Sequence, residues 1–183
     1  MPSPKRREVD DQIALVGATS AGKSHLGNVL LGEERFEASP EHGTTVMSGY
    51  AWTADGRGLV DTPGLLDGDE SREEAMSIAL TSSIVLYVTH GQLYEPEMAF
   101  LREMAQQMRP DEHQVILYLS KHDVRLKTMP EQMRRKIARE LTAQVAELRN
   151  HSSFYGVPVT GPVVGGIGHY GAIRKAVDAA WDG

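Results

Sequence analysis

Eight consecutive residues, Gly17-Ala18-Thr19-Ser20-Ala21-Gly22-Lys23-Ser24, carry the spacing G-x-x-x-x-G-K-S. Glycines at the first and sixth positions let the backbone curl so that successive N–H groups point inward and cradle phosphate oxygens. A helix starting at this point would add the positive end of its dipole. Lys23 can reach β- and γ-phosphates, and the Ser24 hydroxyl can ligate Mg²⁺. The chemistry is the binding of a nucleoside triphosphate. Thr19, Ser20, Ala21, Gly22, Lys23, Ser24 and the following His25, together with Gly17, are the candidate contacts to it. The motif names neither the base nor the reaction, and kinases and ATPases share it.

Three further segments supply the discrimination. Asp61-Thr62-Pro63-Gly64 places a carboxylate that can hold the Mg²⁺ water shell and a glycine N–H that can meet the γ-phosphate. Loss of that phosphate would release the loop that follows. In Ser120-Lys121-His122-Asp123 the Asp123 carboxylate can accept hydrogen bonds from guanine N1–H and N2–H₂, which adenine does not offer, and the Lys121 stem can lie over the base. In Gly43-Thr44-Thr45, Thr45 is the chosen third metal contact and γ-phosphate sensor, with Thr44 as its alternative. The segment from Glu33 to Gly43 has few apolar anchors and is expected to be mobile.

The surrounding pattern must place these loops together. Ile13 to Val16 is an apolar run suited to a buried strand. Gly22 to Leu31 reads as a helix stopped by Gly32. Met47 to Thr53 and Arg57 to Asp61 flank Asp55-Gly56, a hairpin signal. Ser71 with Glu74 fits a capping box for a short helix. Ile84 to Thr89, Val115 to Leu119 and Val157 to Val164 read as further strands. Pro96 marks a helix start with a stripe of Met98, Leu101, Met104 and Met108. Thr128 with Glu131 is expected to cap a long helix whose stripe is Met133, Ile137, Leu141, Val145 and Leu148, and Ile173, Val177 and Trp181 lie on a closing helix. Alternating strands and helices predict a mostly parallel α/β sheet covered on both faces, with one antiparallel edge strand from the hairpin. Ligands in such sheets bind at the carboxyl ends of the strands.

The chain has 183 residues, 19 Lys+Arg, 25 Asp+Glu and no cysteine, for a formal charge of −6. The length suits one domain, read as residues 12–183 after a flexible tail at 1–11. Without cysteine there is no disulfide scaffold, Cys zinc site, Cys nucleophile or iron–sulfur cluster. A pI near 5.6 argues against a dedicated nucleic-acid binder. No window carries the roughly 18 apolar residues of a membrane span, and no secretory signal is visible; a cytoplasmic location is the expectation. The basic face at Arg134, Arg135, Lys136 and Arg139 reads as solvated surface, His90 and His122 as loop residues, and Met98, Met104, Met108 and Met133 as core.

The ordered motifs Gly17–Ser24, Thr45, Asp61–Gly64 and Ser120–Asp123 resemble the first four motifs of the translation-factor-related GTPases, the class of Era-like and dynamin-like G domains. Ser20-Ala21-Gly22-Lys23-Ser24 followed by Asn28-Val29-Leu30-Leu31-Gly32 is especially similar to those proteins, and the Asn28-to-Gly32 ending is also similar to septin-related immunity-associated GTPases. The resemblance implies a three-layer P-loop NTPase fold and a Mg²⁺-dependent GTP/GDP switch with slow intrinsic hydrolysis. It also implies that Lys23, Ser20 and Thr45 act in catalysis and that Ser24, Thr45 and Asp61 hold the metal. In dynamin-like relatives the serine matching Ser20 helps hold a monovalent cation and the domain dimerises across the nucleotide. A protein effector is the other kind of partner implied.

Three departures stand out. Ser120 replaces the usual Asn or Thr but keeps a hydroxyl. The fifth motif is not visible, and Val164-Gly165-Gly166 stands near its place, with Gly165 taken as the base contact. Leu65 stands where Ras-like proteins carry the glutamine that orients water. A hydrophobic residue there keeps a second function open, a nucleotide-dependent assembly module with little or no hydrolysis.

Overall fold

The computed structural model describes residues 8–36, 49–166 and 168–182. Among these residues six strands form a single sheet in the order β2-β3-β1-β4-β5-β6. In chain order the elements are β1 (Asp10–Gly17), α1 (Lys23–Leu31), β2 (Gly49–Trp52), β3 (Gly58–Asp61), α2 (Asp69–Ala79), β4 (Ser82–Thr89), α3 (Glu95–Gln107), β5 (Gln114–Leu119), α4 (His122–Thr128), α5 (Glu131–Asn150), β6 (Val159–Val164) and α6 (Gly171–Trp181). Every strand pair is parallel except β2–β3, so the hairpin supplies the antiparallel edge strand that its Asp-Gly turn predicts. β1 pairs with β3 on one side and β4 on the other, registering Leu15 on Asp61 and Gly17 on Val88. The chain thus crosses over to opposite sides of β1. The crevice at its carboxyl end is the switch point where such sheets bind ligands.

Alternation along the inner strands divides the core into two layers. Ala14, Val16, Val85, Tyr87, Val115 and Leu117 face α2, α3 and α5. Ile13, Leu15, Ile84, Leu86, Ile116 and Tyr118 face α1 and α6. Strands buried on both faces read as unbroken apolar runs, which is why β1, β4 and β5 are plain in the sequence.

Several local readings are corrected. β1 begins at Asp10, three residues before the apolar run Ile13 to Val16, and the Asp10 amide donates to the Thr81 carbonyl at 2.7 Å. α2 begins at Asp69 behind Gly68 and has no side-chain cap, so Ser71 and Glu74 lie inside the helix rather than at its start. Thr128 ends α4, where its hydroxyl donates to the Val124 carbonyl at 2.8 Å, and α5 starts behind Pro130. Met133 is 52% exposed and is not core; the buried stripe of α5 is Leu141, Val145 and Leu148. Phe36 is buried against α1 and β2, so the segment after α1 has an apolar anchor at its start; residues 37–48 lie outside the described residues. Among the described residues no helix is long and apolar enough to cross a membrane.

Candidate nucleotide site

Gly17 ends β1 against the backbone of Val88, where a Cβ would overlap the Val88 carbonyl. Gly22, at φ 100, turns the loop into the first turn of α1 in a left-handed conformation that costs glycine little. Ser20 holds φ 57 with an exposed side chain. Lys23 is only 6% exposed, and its Nζ donates to the carbonyls of Gly17 at 3.2 Å and Ala18 at 2.9 Å. Burial pushes its ammonium below the ordinary lysine value, while the carboxylates of Asp61 and Asp67 draw it back up. A lysine held in this way is a positive charge kept close to the loop it serves.

The Ser24 hydroxyl donates to Asp61 Oδ2 at 2.5 Å, joining α1 to the end of β3. Thr62 fixes that end, its hydroxyl donating to the Leu15 carbonyl at 2.7 Å. Gly64 lies against the phosphate loop so closely that a Cβ would overlap the Thr19 hydroxyl and the Asp67 carboxylate. Leu65 turns away: it is 4% exposed, packed in the core layer of α2 and α3, and its amide donates to the Gly17 carbonyl at 3.2 Å. Thr44 and Thr45, the candidates for the third metal contact, lie outside the described residues.

The Ser120–Asp123 loop, expected to read the base, meets this structure from β5. The Ser120 hydroxyl is buried and donates to the Ala21 carbonyl at 2.6 Å. Lys121, at φ 58, is the N-cap of α4, and Asp123 stands in its first turn. The segment expected to be a loop is therefore a helix start. Gly165 donates to the Leu119 carbonyl and accepts from the His122 amide, both at 2.9 Å, so its own polar groups serve the loop. A Cβ on Gly166 would overlap the Asp123 carboxylate, whereas one on Gly165 would overlap the Tyr118 ring. His25 Nε2 lies 2.7 Å from the Tyr170 hydroxyl, and His122 meets His169 edge-on at 5.3 Å. Tyr170 and His169 carry no signal in the sequence, since their partners His25 and His122 lie 145 and 47 residues away in the chain.

These loops carry the motifs of a guanine-nucleotide site, and the comparisons agree. A protein-family model described as 50S ribosome-binding GTPase matches residues 12–121. The chain belongs to this GTPase family. The curated relatives include GTPase Der of Clostridium perfringens, 44% identical over 77 residues, and GTPase Der of Bradyrhizobium sp., 42% identical over 73 residues. Those matches cover 39% and 37% of this chain and only 18% and 16% of the relatives. Among solved structures, a variant of Era from Aquifex aeolicus bound to GDP.AlF4⁻ superposes with a TM-score of 0.62 at 20% identity, covering 93% of this chain and 56% of Era. NFeoB from S. thermophilus bound to GDP.AlF4⁻ and K⁺ gives 0.61 at 19% identity, covering 93% and 61%. A dimerization-deficient variant of Toc33 from Arabidopsis thaliana gives 0.60 at 15% identity, covering 96% and 84%. At such identities the superpositions speak for the fold, which is that of a P-loop GTPase.

The site of this GTPase fits a nucleoside phosphate on its own geometry. The close approaches at Gly17 and Gly64 and the left-handed Gly22 leave backbone where side chains would otherwise stand. Ser24 and Asp61 offer hard oxygens side by side, the donor set Mg²⁺ prefers when phosphates and waters complete its shell.

Proposed function

We propose that the chain is a G domain, residues 12–183, that binds GTP and GDP with Mg²⁺, hydrolyses GTP slowly and acts as a switch between the two forms. The observation that carries the reading is the Ser120–Ala21 hydrogen bond at 2.6 Å, which couples the guanine-reading loop to the phosphate loop. Lys23 neutralises charge on the β- and γ-phosphates, Gly64 presents its backbone N–H to the γ-phosphate, and Asp123 selects guanine. Ser24, Asp61 and Thr45 would hold Mg²⁺, which would supply further neutralisation of the phosphate oxygens. Leu65 neither polarises water nor faces the phosphates, so turnover relies on Lys23, the loop backbone and a monovalent cation beside Ser20. NFeoB, the neighbour whose structure contains K⁺, offers a parallel for that cation. A cation bound next to the exposed Ser20 would be completed by a second copy across the nucleotide or by a protein effector.

The buried Leu65 also supports a second reading, an assembly module that binds nucleotide but hardly hydrolyses it. Single-turnover GTP hydrolysis in K⁺, Na⁺ and a non-coordinating cation, at several protein concentrations, separates the two. Turnover that rises with K⁺ and with concentration is the expected result. Binding without turnover under every condition selects the assembly module. ATP competing equally with GTP would overturn both.

A further inference from the structure

The Thr19 hydroxyl donates to the Asp67 carboxylate, tying the phosphate loop to the turn that leads into α2. Asp67 Oδ2 stands 2.5 Å from where a Cβ on Gly64 would be, so the carboxylate covers the Gly64 backbone. Its charge also acts on the Lys23 ammonium, alongside that of Asp61. Lys23 and Gly64 are the two groups that the proposed function assigns to the γ-phosphate. The carboxylate therefore stands over the place that receives a third phosphate.

A third phosphate adds negative charge at that place, and like charges a few ångström apart repel, by about 1 kcal/mol at 4 Å where water screens them as it does at the exposed Asp67. A diphosphate ends short of it. The turn is built to yield on one side only. Leu65 is fixed in the core and donates its amide to Gly17, whereas Leu66 and Asp67 are exposed. Gly68 then sits at φ 135 with open space around it, directly before the first residue of α2.

We propose that Asp67 is the residue by which the chain tells a triphosphate from a diphosphate. Binding of GTP breaks the Thr19–Asp67 bond and drives the carboxylate outward about Gly68, moving the start of α2; binding of GDP leaves the bond in place. Asp67 is thus a specificity-determining residue and the first moving part of the switch. The inference rests on the reading of the site as a guanine-nucleotide site.

The test is titration of the full chain with fluorescent GDP and with a fluorescent non-hydrolysable GTP analogue, in wild type, Asp67→Asn and Asp67→Ala. Both variants are expected to bind the analogue about tenfold more tightly and GDP within about twofold of wild type. Hydrogen exchange across residues 66–72 should change in wild type with the analogue but not with GDP, and this contrast should vanish in Asp67→Asn. Wild type that binds neither nucleotide sinks the functional reading itself. Wild type that binds both, with variants shifting the two affinities equally or not at all, overturns the Asp67 inference alone. Loss of turnover with unchanged affinities would assign Asp67 to orienting water and overturn it too. Should neither variant fold, equal exchange in wild type with the two nucleotides decides against it.

Discussion

The Ser120 hydroxyl and the Ala21 carbonyl, 99 residues apart in sequence, lie 2.6 Å from each other in a buried contact. It joins the tip of β5 to the loop after β1, across the carboxyl end of the intervening β4. In the proposed function the two loops contact opposite ends of a nucleotide, so their spacing would set whether base and phosphates are gripped together. Ser120→Ala leaves the Ala21 carbonyl buried without this donor and should cost about 1–2 kcal/mol of stability. Affinity for GDP should fall at least about tenfold with it. Ser120→Thr keeps the hydroxyl and should retain both. Thermal melting beside GDP titration checks the pair of effects, and an affinity unchanged in Ser120→Ala would show that the loops hold their spacing by other means.

Asp123 is held in the first turn of α4 by the Lys121 N-cap and by the close backbone of Gly166. In the proposed function its carboxylate accepts two hydrogen bonds from guanine, where an amide would accept only one. Asp123→Asn should weaken GTP by about 100-fold, the cost of losing a charge-assisted hydrogen bond in a desolvated site. The same variant should gain affinity for xanthosine triphosphate, whose 2-oxo group can accept from the amide. Competition binding with the two nucleotides measures the exchange of preference.

Lys23 stabilises the fold less than its two hydrogen bonds suggest. Its ammonium is almost wholly buried, and burial outweighs the two nearby carboxylates in the direction of its pKa. In the proposed function that charge serves the phosphates. Lys23→Met should therefore abolish nucleotide binding while raising stability by about 1 kcal/mol, or roughly 2–4 °C in melting temperature for a domain of this size. A lower melting temperature would show that the bonds to Gly17 and Ala18 outweigh desolvation.

Much of this arrangement is legible in the sequence because its causes are local. Gly17 to Ser24 works through backbone shape, one lysine and one hydroxyl, all within eight residues. The strands β1, β4 and β5 are apolar on both faces and cannot read otherwise. What was hidden depends on distant partners. Asp67 looks like a solvent-exposed loop acid until Thr19, 48 residues earlier, is brought beside it. α4 is only seven residues long and begins inside the polar motif Ser120–Asp123, so no apolar period marks it. Met133 falls on the same helical spacing as Leu141 and Val145, yet it is exposed, and the buried residues of α5 begin only at Leu141.

Asn28 shows how a residue of α1 organises the chain that follows. Its Oδ1 accepts from the amides of Arg35 at 2.9 Å and Phe36 at 2.8 Å, and its Nδ2 donates to the Phe36 carbonyl at 2.8 Å. These three bonds hold Phe36 where its ring packs beside Gly27 and Gly49, between α1 and β2. Asn28→Ala should cost about 2 kcal/mol, chiefly from the backbone groups left unpaired. Phe36→Ala should cost about 3 kcal/mol through the cavity it leaves. Additivity in the double variant would mean that the two act independently; a double variant no worse than Phe36→Ala would show that the asparagine acts by placing the ring, and this second outcome is expected.

His90 and His122 follow β4 and β5 and both titrate below the ordinary histidine value of 6.5. Partial desolvation is the main cause for each, joined by Lys121 and Arg125 at His90 and by Arg125, His169 and Arg134 at His122. Glu97 at His90 and Asp123 at His122 pull the other way and are outweighed. Between the lowered folded values and 6.5 the unfolded chain therefore binds more protons than the folded one. In that window stability rises with pH, so it is complete above the unfolded value and is lost as pH falls through the folded ones. Urea unfolding measured from about pH 5 to about pH 8 should show a plateau at the upper end and a decline on acidification. His90→Gln with His122→Gln should flatten that decline, because the variant has two fewer sites for the unfolded chain to protonate. A decline of the same slope in the variant would place its origin in other groups.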